Sequence, residues 1–161
     1  MSIQEQNRNE STELLQLVSF KIGNEEFGVD ILKVQEINRM TQITKVPNSP
    51  PFVEGVINLR GRVIPVVDLR TKLNFNRIEI NSSSRIIIVE ISSRIIGFIV
   101  DEVSEVLRIP KSITEPPPSL ATGIDSEFIT AVAKLDDRLI ILIDLDRVFS
   151  SAEEADIKKA I

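Results

Sequence analysis

The chain of 161 residues contains no cysteine and no histidine. Without cysteine it can form neither disulfides nor thiolate metal sites. Without histidine it lacks the commonest general base and the commonest metal ligand. Tryptophan and tyrosine are absent too, and the aromatics are seven phenylalanines. A sugar-binding site, which leans on aromatic platforms, has little to be built from. No window approaches ~18 consecutive apolar residues, so no membrane-spanning helix is expected. Residues 1–13, MSIQEQNRNESTE, are polar and carry no apolar signal region, and are expected to form a disordered tail. A net charge of −5 argues against a nucleic-acid partner, which needs a phosphate-neutralising surface. These absences point to a soluble cytoplasmic protein without direct membrane insertion.

The length suits one domain or two small ones sharing a core. Of the residues, 42% are hydrophobic, and isoleucine is the commonest. β-branched aliphatics favour strands, so a mainly β protein with an aliphatic core is expected.

The sequence repeats itself. Residues 59–69 read LRGRVIPVVDL and residues 135–145 read LDDRLIILIDL. Both share a leucine, an aliphatic run and a closing Asp-Leu. A shift of 69 residues superposes 16–37 on 85–106 without a gap, placing Gly28 on Gly97, Val34 on Val103 and Glu36 on Glu105. Later in each half the shift becomes 76, so one half carries seven extra residues. Each half reads as a hairpin, an ambiguous stretch at 31–37 or 101–107, a proline loop, and a second hairpin. The proline loops are Pro50-Pro51 and the TEPPPS of residues 114–119. Pro65 lies inside a return strand and predicts an edge or a bulge. Several strands are apolar on both faces, which fits small barrels packed against each other or a sandwich. Residues 74–84 look like the connection between halves. The domain is expected over 14–150, divided into barrels at about 14–82 and 83–150. A helix is expected over 151–161, with a capping box from Ser150 and Glu153 or from Ser151 and Glu154.

A search for catalytic sets finds no serine with a histidine partner, no nucleophile elbow and no phosphate loop. Glu36, Asp68 and Asp144 are the carboxylates a hydrolase would use, but acids at strand ends ordinarily bond turn amides. The expectation is no catalytic residue, no metal and no cofactor, with a carboxylate-dependent hydrolase as the alternative of another class.

The turn at Arg60-Gly61 is where the halves differ. Copy two has Asp136-Asp137 there, yet keeps Arg138 opposite Arg62. The fold therefore does not require a cation at position 60, and an ion pair of Arg60 with Glu36 would present a charged surface to a partner. Aliphatics beside the turns and proline loops, among them Ile31, Val34, Ile43, Val46, Val100, Val103 and Val106, could collectively line a groove for a partner helix.

The motif NLRGRVIPVVDLR at residues 58–70 resembles the signature of the CheW family of chemotaxis coupling proteins. So do FGVDILKVQEI at 27–37 and FIVDEVSEVL at 98–107. The likeness runs over about residues 14–150. It implies two packed SH3-like five-stranded β-barrels with short helices, the chain's first strand being able to pair with the second barrel. It implies a non-enzymatic adaptor that bridges membrane chemoreceptors to the histidine kinase CheA in signalling arrays. A detached regulatory domain of the CheA or CheV type shares the fold and is the alternative. The receptor tip is implied at Ile31, Val34, Glu36, Arg60, Val100, Val103 and Val106. The kinase regulatory domain is implied at Ile43, Val46, Gly55 and Arg62. Contact with further copies of the chain in array rings is implied as well.

Overall fold

The computed structural model describes residues 13–117 and 127–159. Eleven strands run in chain order among them. They are β1 (Leu14–Ile22), β2 (Glu25–Asp30), β3 (Val34–Arg39), β4 (Val53–Leu59), β5 (Arg62–Asp68), β6 (Arg85–Ile91), β7 (Arg94–Val100), β8 (Glu102–Pro110), β9 (Thr114–Glu115), β10 (Ile129–Leu135) and β11 (Arg138–Ile143). Helix α1 (Leu69–Lys72) follows β5 and α2 (Ser151–Lys159) closes the described chain. The expected tail at 1–13 lies outside the described residues except for Glu13, as do the last two residues of TEPPPS.

Two sheets form. One has five strands in the order β3-β6-β7-β5-β4, the other six in the order β8-β1-β2-β11-β10-β9. The mainly β expectation holds. The expected division near residue 82 does not follow the strands. Hairpin β1–β2 joins β8–β11 of the second half, and hairpin β6–β7 joins β3–β5 of the first. Each half gives its first hairpin to the other. We call the β3–β7 sheet barrel one and its companion barrel two.

The exchange obeys the repeat. Glu36 of β3 faces Ile88 of β6 after a register shift that skips Gln35. Glu105 of β8 faces Ser19 of β1 after one that skips Ser104. These are the same bulge at positions 69 apart. The parallel contacts match too, Val66 with Gly97 in barrel one and Leu142 with Gly28 in barrel two. A bulge turns a strand and re-aims its side chains, so both edge strands, β3 and β8, bend alike.

Strand alternation explains the apolar runs. In β6, Ile86 and Ile88 fill barrel one, while Ile87, Val89 and Ile91 face a core shared by both barrels. In β11, Ile140 and Leu142 fill barrel two, while Ile143 faces the shared core. Both faces of these strands are buried, so neither needs polar residues. All seven phenylalanines lie in or against the shared core. Phe98 stacks on Phe149 with ring centroids 5.8 Å apart, and Phe20 on Phe27 at 5.7 Å. The small barrels, by contrast, have no room. A Cβ on Gly97 would stand 2.8 Å from Ile86 Cγ2, and one on Gly28 would stand 3.2 Å from Leu142 Cδ2.

Two sequence expectations resolve locally. The ambiguous stretch at 31–37 is both of its alternatives, a single 3₁₀ turn at Ile31–Lys33 followed by β3. Asp30 starts the turn by accepting from the Leu32 amide at 2.9 Å. Pro65 is not on an edge strand, because β5 lies between β4 and β7. It is tolerated because pairing with β7 begins only at Val66. Counting back from the turn pair Leu59–Arg62, Pro65 also falls at a position that gives β4 no hydrogen bond. At the C-terminus the Ser150–Glu153 box forms: the Ser150 amide donates to Glu153 Oε1 at 3.0 Å and the Glu153 amide to Ser150 Oγ at 3.1 Å. Ile157 then drops α2 onto the shared core.

Candidate functional site

The β4–β5 turn carries Arg60 at φ +51° and Gly61 at φ +82°. A left-handed backbone suits glycine, asparagine or aspartate and is costly for other residues. Copy two has an aspartate, Asp136, at φ +43° in the same place. Arg60 therefore occupies a position that local conformation would give to something else. Asn58 stabilises the turn by accepting from the Gly61 amide at 3.0 Å.

The Arg60 guanidinium donates to Glu36 Oε2 on β3. Asn38 Nδ2 donates to the other carboxylate oxygen at 2.8 Å. The Arg60 and Asn38 hydrogen bonds hold the Glu36 carboxyl below the ordinary carboxylate range, against a smaller upward push from burial. The Arg60 side chain is 71% exposed and that of Glu36 26%. The ion pair anticipated from sequence thus forms, on an open surface. Asn38 was not anticipated. Its position two residues after Glu36 on one strand face was the signal that could have found it.

Barrel two answers the same glutamate differently. Glu105 accepts from Arg138 at 2.8 Å, and Arg138 is the counterpart of Arg62, not of Arg60. Arg138 also reaches Glu26 at 3.7 Å, and Glu26 accepts from the buried Ser19 hydroxyl at 3.0 Å. The counterparts of Ser19 and Glu26 in barrel one are Ile88 and Ile95. So barrel two has a polar chain running inward from its surface pair. Barrel one has an apolar interior and a pair confined to the surface. Arg62 is exposed and, among the described residues, has no ion-pair partner.

The other sequence candidates separate by burial. Ile31, Val34 and Val103 are half-buried against the rim of the shared core. Val106 is 55% exposed, as is its counterpart Ile37 at 39%. Leu32, on the 3₁₀ turn beside Ile31, is 89% exposed and was not singled out by sequence. Ile43 is half-buried against barrel one, and Val46 lies by the Pro47–Pro51 loop. Two candidates are corrected. Val100 is 1% exposed and belongs to the shared core, because strand alternation turns it inward with Ile96 and Phe98. Gly55 is buried, and a Cβ there would stand 2.3 Å from the Thr44 carbonyl oxygen. With its φ of +153°, this glycine lets residues 43–44 bridge to Val56 and so seats Ile43. It offers no side chain to a partner.

The carboxylates of the hydrolase alternative are engaged in structure. Asp68 is buried and accepts from the Arg70 amide at 3.0 Å to start α1; burial pushes its carboxyl above the ordinary range. Asp144 accepts from the Asp146 amide at 2.9 Å, and Glu36 is held by Arg60 and Asn38. Among the described residues no cluster of three or more carboxylates is set to hold a metal, and no helix is long and apolar enough to cross a membrane.

A family model described as CheW-like domain matches residues 16–153. The chain belongs to the CheW-like family. It is 39% identical to the chemotaxis protein CheW of Klebsiella aerogenes, over 84% of this chain and 82% of that one. It is 35% identical to the CheW of Thermotoga maritima, over 91% and 93%. In three dimensions it resembles the scaffolding protein TtCheW of Thermoanaerobacter tengcongensis, with a TM-score of 0.80 and 42% identity over 88% of this chain and 96% of that one. The function is accordingly that of a CheW-type chemotaxis adaptor or scaffold. The motifs at 27–37, 58–70 and 98–107 carried that signal, and the first two of them hold both halves of the Glu36–Arg60 pair.

Proposed function

We propose that this chain couples the cytoplasmic tip of membrane chemoreceptors to the histidine kinase CheA, using barrel one and the rim of the shared core as its working surfaces. The observation that carries the reading is the Arg60–Glu36 pair. It is exposed, it sits on a turn whose backbone disfavours arginine, and the repeat shows that the fold does without it. The receptor helices would lie along Ile31, Val34, Val103 and Val106, with Glu36 and Arg60 at their edge. Leu32 extends that strip with exposed apolar surface of the kind an amphipathic helix buries. Ile43, Val46 and the exposed Arg62 would meet the regulatory domain of CheA. The chain itself would act without catalysis, in the cytoplasm, at arrays of membrane-bound receptors.

The test is CheA phosphorylation in receptor-containing membranes, with and without this chain. Kinase activity should rise when the chain is added and fall when receptor ligand follows. Arg60→Glu should abolish the rise, and Arg60→Glu combined with Glu36→Arg should restore part of it. No rise with the unaltered chain, although it binds CheA in a pull-down, would defeat the coupling reading and leave a regulatory fragment of the CheA or CheV type.

A further inference from the structure

The two barrels differ where their parallel ladders begin. In barrel two, β11 pairs with β2 from Ile140 and Glu26 onward. In barrel one, β5 pairs with β7 only from Val66 and Gly97. By the shifts of 76 and 69 that start comes two residues later. Pro65 stands where barrel two has Ile141, and proline has no amide to give a ladder. Ahead of Val66 the two strands are unpaired, and a cleft of about 220 Å³ lies between them. Arg62, Val63 and Pro65 line it from β5, and Ser93 and Arg94 from the start of β7.

The copies also carry opposite charge at this place. In barrel two, Arg138 is met by Glu105 at 2.8 Å and Glu26 at 3.7 Å, with Glu25 beside them in sequence. In barrel one, Arg62 takes the place of Arg138, while Arg94 and Ile95 take the places of Glu25 and Glu26. Glu36, the counterpart of Glu105, is already held by Arg60. Two guanidiniums thus share one cleft, and among the described residues neither has an ion-pair partner. Glu154 of α2 shares a small cavity with Arg94 but forms no ion pair with it. In a chain of net charge −5, this is a local excess of positive charge. The turn at the mouth of the cleft departs from local preference as well. Ser92 and Ser93 have φ of +50° and +65°, where the other copy has Gly23-Asn24, the residue types such a backbone favours.

We propose that this cleft seats an acidic segment of the CheA regulatory domain, with a carboxylate between Arg62 and Arg94 and an aliphatic neighbour over Val63. The proposal rests on the reading that barrel one meets CheA, and it names the chemistry of that contact. Val63 is 58% exposed and gives the aliphatic group a surface to cover. Arginine forks bind carboxylates in pairs of charge-assisted hydrogen bonds. Arg94 is half-buried, so part of its hydration is already lost before a partner arrives. Arg60 and Arg62 flank Gly61, so the cleft adjoins the turn that carries the Glu36 pair. One turn then faces the receptor on one side and the kinase on the other.

Calorimetric titration of the full chain into purified CheA tests this. Arg62→Gln and Arg94→Gln should each weaken binding about tenfold and flatten its dependence on salt. Glutamine removes the charge without setting a new one against Glu154, so α2 stays seated. Pro65→Ile gives the cleft the residue of barrel two and should weaken binding too. The same variants should bind receptor membranes without CheA as the unaltered chain does. An equal loss toward both partners would signal damage to the fold and overturn the proposal. Affinity for CheA that stays within about twofold in Arg94→Gln would overturn it while leaving the coupling reading in place. An unaltered chain that does not bind CheA at all would sink both. Variants that keep CheA binding but lose self-association in sedimentation would assign the cleft to a second copy and overturn the proposal as well.

Discussion

Replacing Arg70 with methionine tests how barrel one is tied to the β1–β2 hairpin of barrel two. Arg70 and Asp101 form the most enclosed ion pair among the described residues, with side chains 11% and 18% exposed. Arg70 Nε donates to Asp101 Oδ1 at 2.7 Å, Nη2 donates to Oδ2, and Nη1 donates to the Asn76 carbonyl at 2.9 Å. The Gly23 amide, in the β1–β2 turn, donates to Asp101 Oδ2 at 2.7 Å. Methionine keeps the aliphatic stem and removes every donor, leaving Asp101 enclosed with one amide. Stranding one member of a buried pair costs about 3–5 kcal/mol. Asp101 keeps some access to water, so the low end applies, about 3 kcal/mol. That is a large share of the roughly 5–15 kcal/mol that holds a domain. Urea unfolding followed by far-UV circular dichroism reads it directly, since the chain has no tryptophan to report by fluorescence. Arg70→Met with Asp101→Leu removes the stranded charge and should recover at least about 1 kcal/mol over the single variant. The pH dependence has a definite sign. Burial pushes the Asp101 carboxyl up, but the Arg70 and Gly23 hydrogen bonds and the Arg70 charge outweigh it and hold the group below its ordinary value. A carboxylate depressed in the folded state stabilises it above the unfolded pKa of about 3.9 and ceases to as pH falls through the lower folded value. The gap between the unaltered chain and Arg70→Met should be full at neutral pH and shrink below about pH 4. A loss smaller than about 1 kcal/mol, or a gap unchanged down to acid, refutes this account of the clamp.

Gly97→Ala forces a Cβ to within 2.8 Å of Ile86 and should cost about 1–3 kcal/mol in a thermal melt. Gly28→Ala, whose nearest neighbour is 3.2 Å away, should cost less; equal losses would show that the two barrels are not packed as described. Ser150→Ala removes the side-chain half of the capping box and should lower stability by about 1 kcal/mol in urea titration. Arg60→Glu should leave the urea midpoint nearly unchanged, because the pair is exposed to solvent. A severe stability loss there would make Arg60 a folding residue and remove it from the partner surface.

The repeat, the strands and the capping box were legible because each is local or strictly periodic. Arg60 was legible because the two copies disagreed where the frame agreed, and Glu36 because it is the acid of the same half that could pair with it. The exchange of hairpins was not legible in the residues themselves, since a strand's apolar pattern shows that it is buried and not which strand it lies beside; only the family resemblance pointed to β1 pairing with the second barrel. The Arg70–Asp101 clamp was hidden for the same reason: its members sit in different halves and only the exchange brings them together. Val100 looked like a groove residue because it stands beside the turn at Asp101, but one residue of register decides whether a strand end faces solvent or core. Pro65 was expected at an edge or a bulge; β5 is interior, but its ladder with β4 is bulged at Val53–Gly55 and β5 gains its second neighbour only at Val66.

The interleaving also sets an order of events. Barrel one, β3 through β7, is an unbroken stretch of chain. Barrel two is split around it, with β1–β2 before and β8–β11 after. A ribosome therefore releases all of barrel one while the opening hairpin still lacks its partners, with Phe20 and Phe27 awaiting strands made last. Whatever shields those two rings in the interval, whether the finished first barrel or a chaperone, governs the yield of intact adaptor. Cutting the gene at its visible internal repeat would divide both barrels at once and yield two fragments with nothing to fold around.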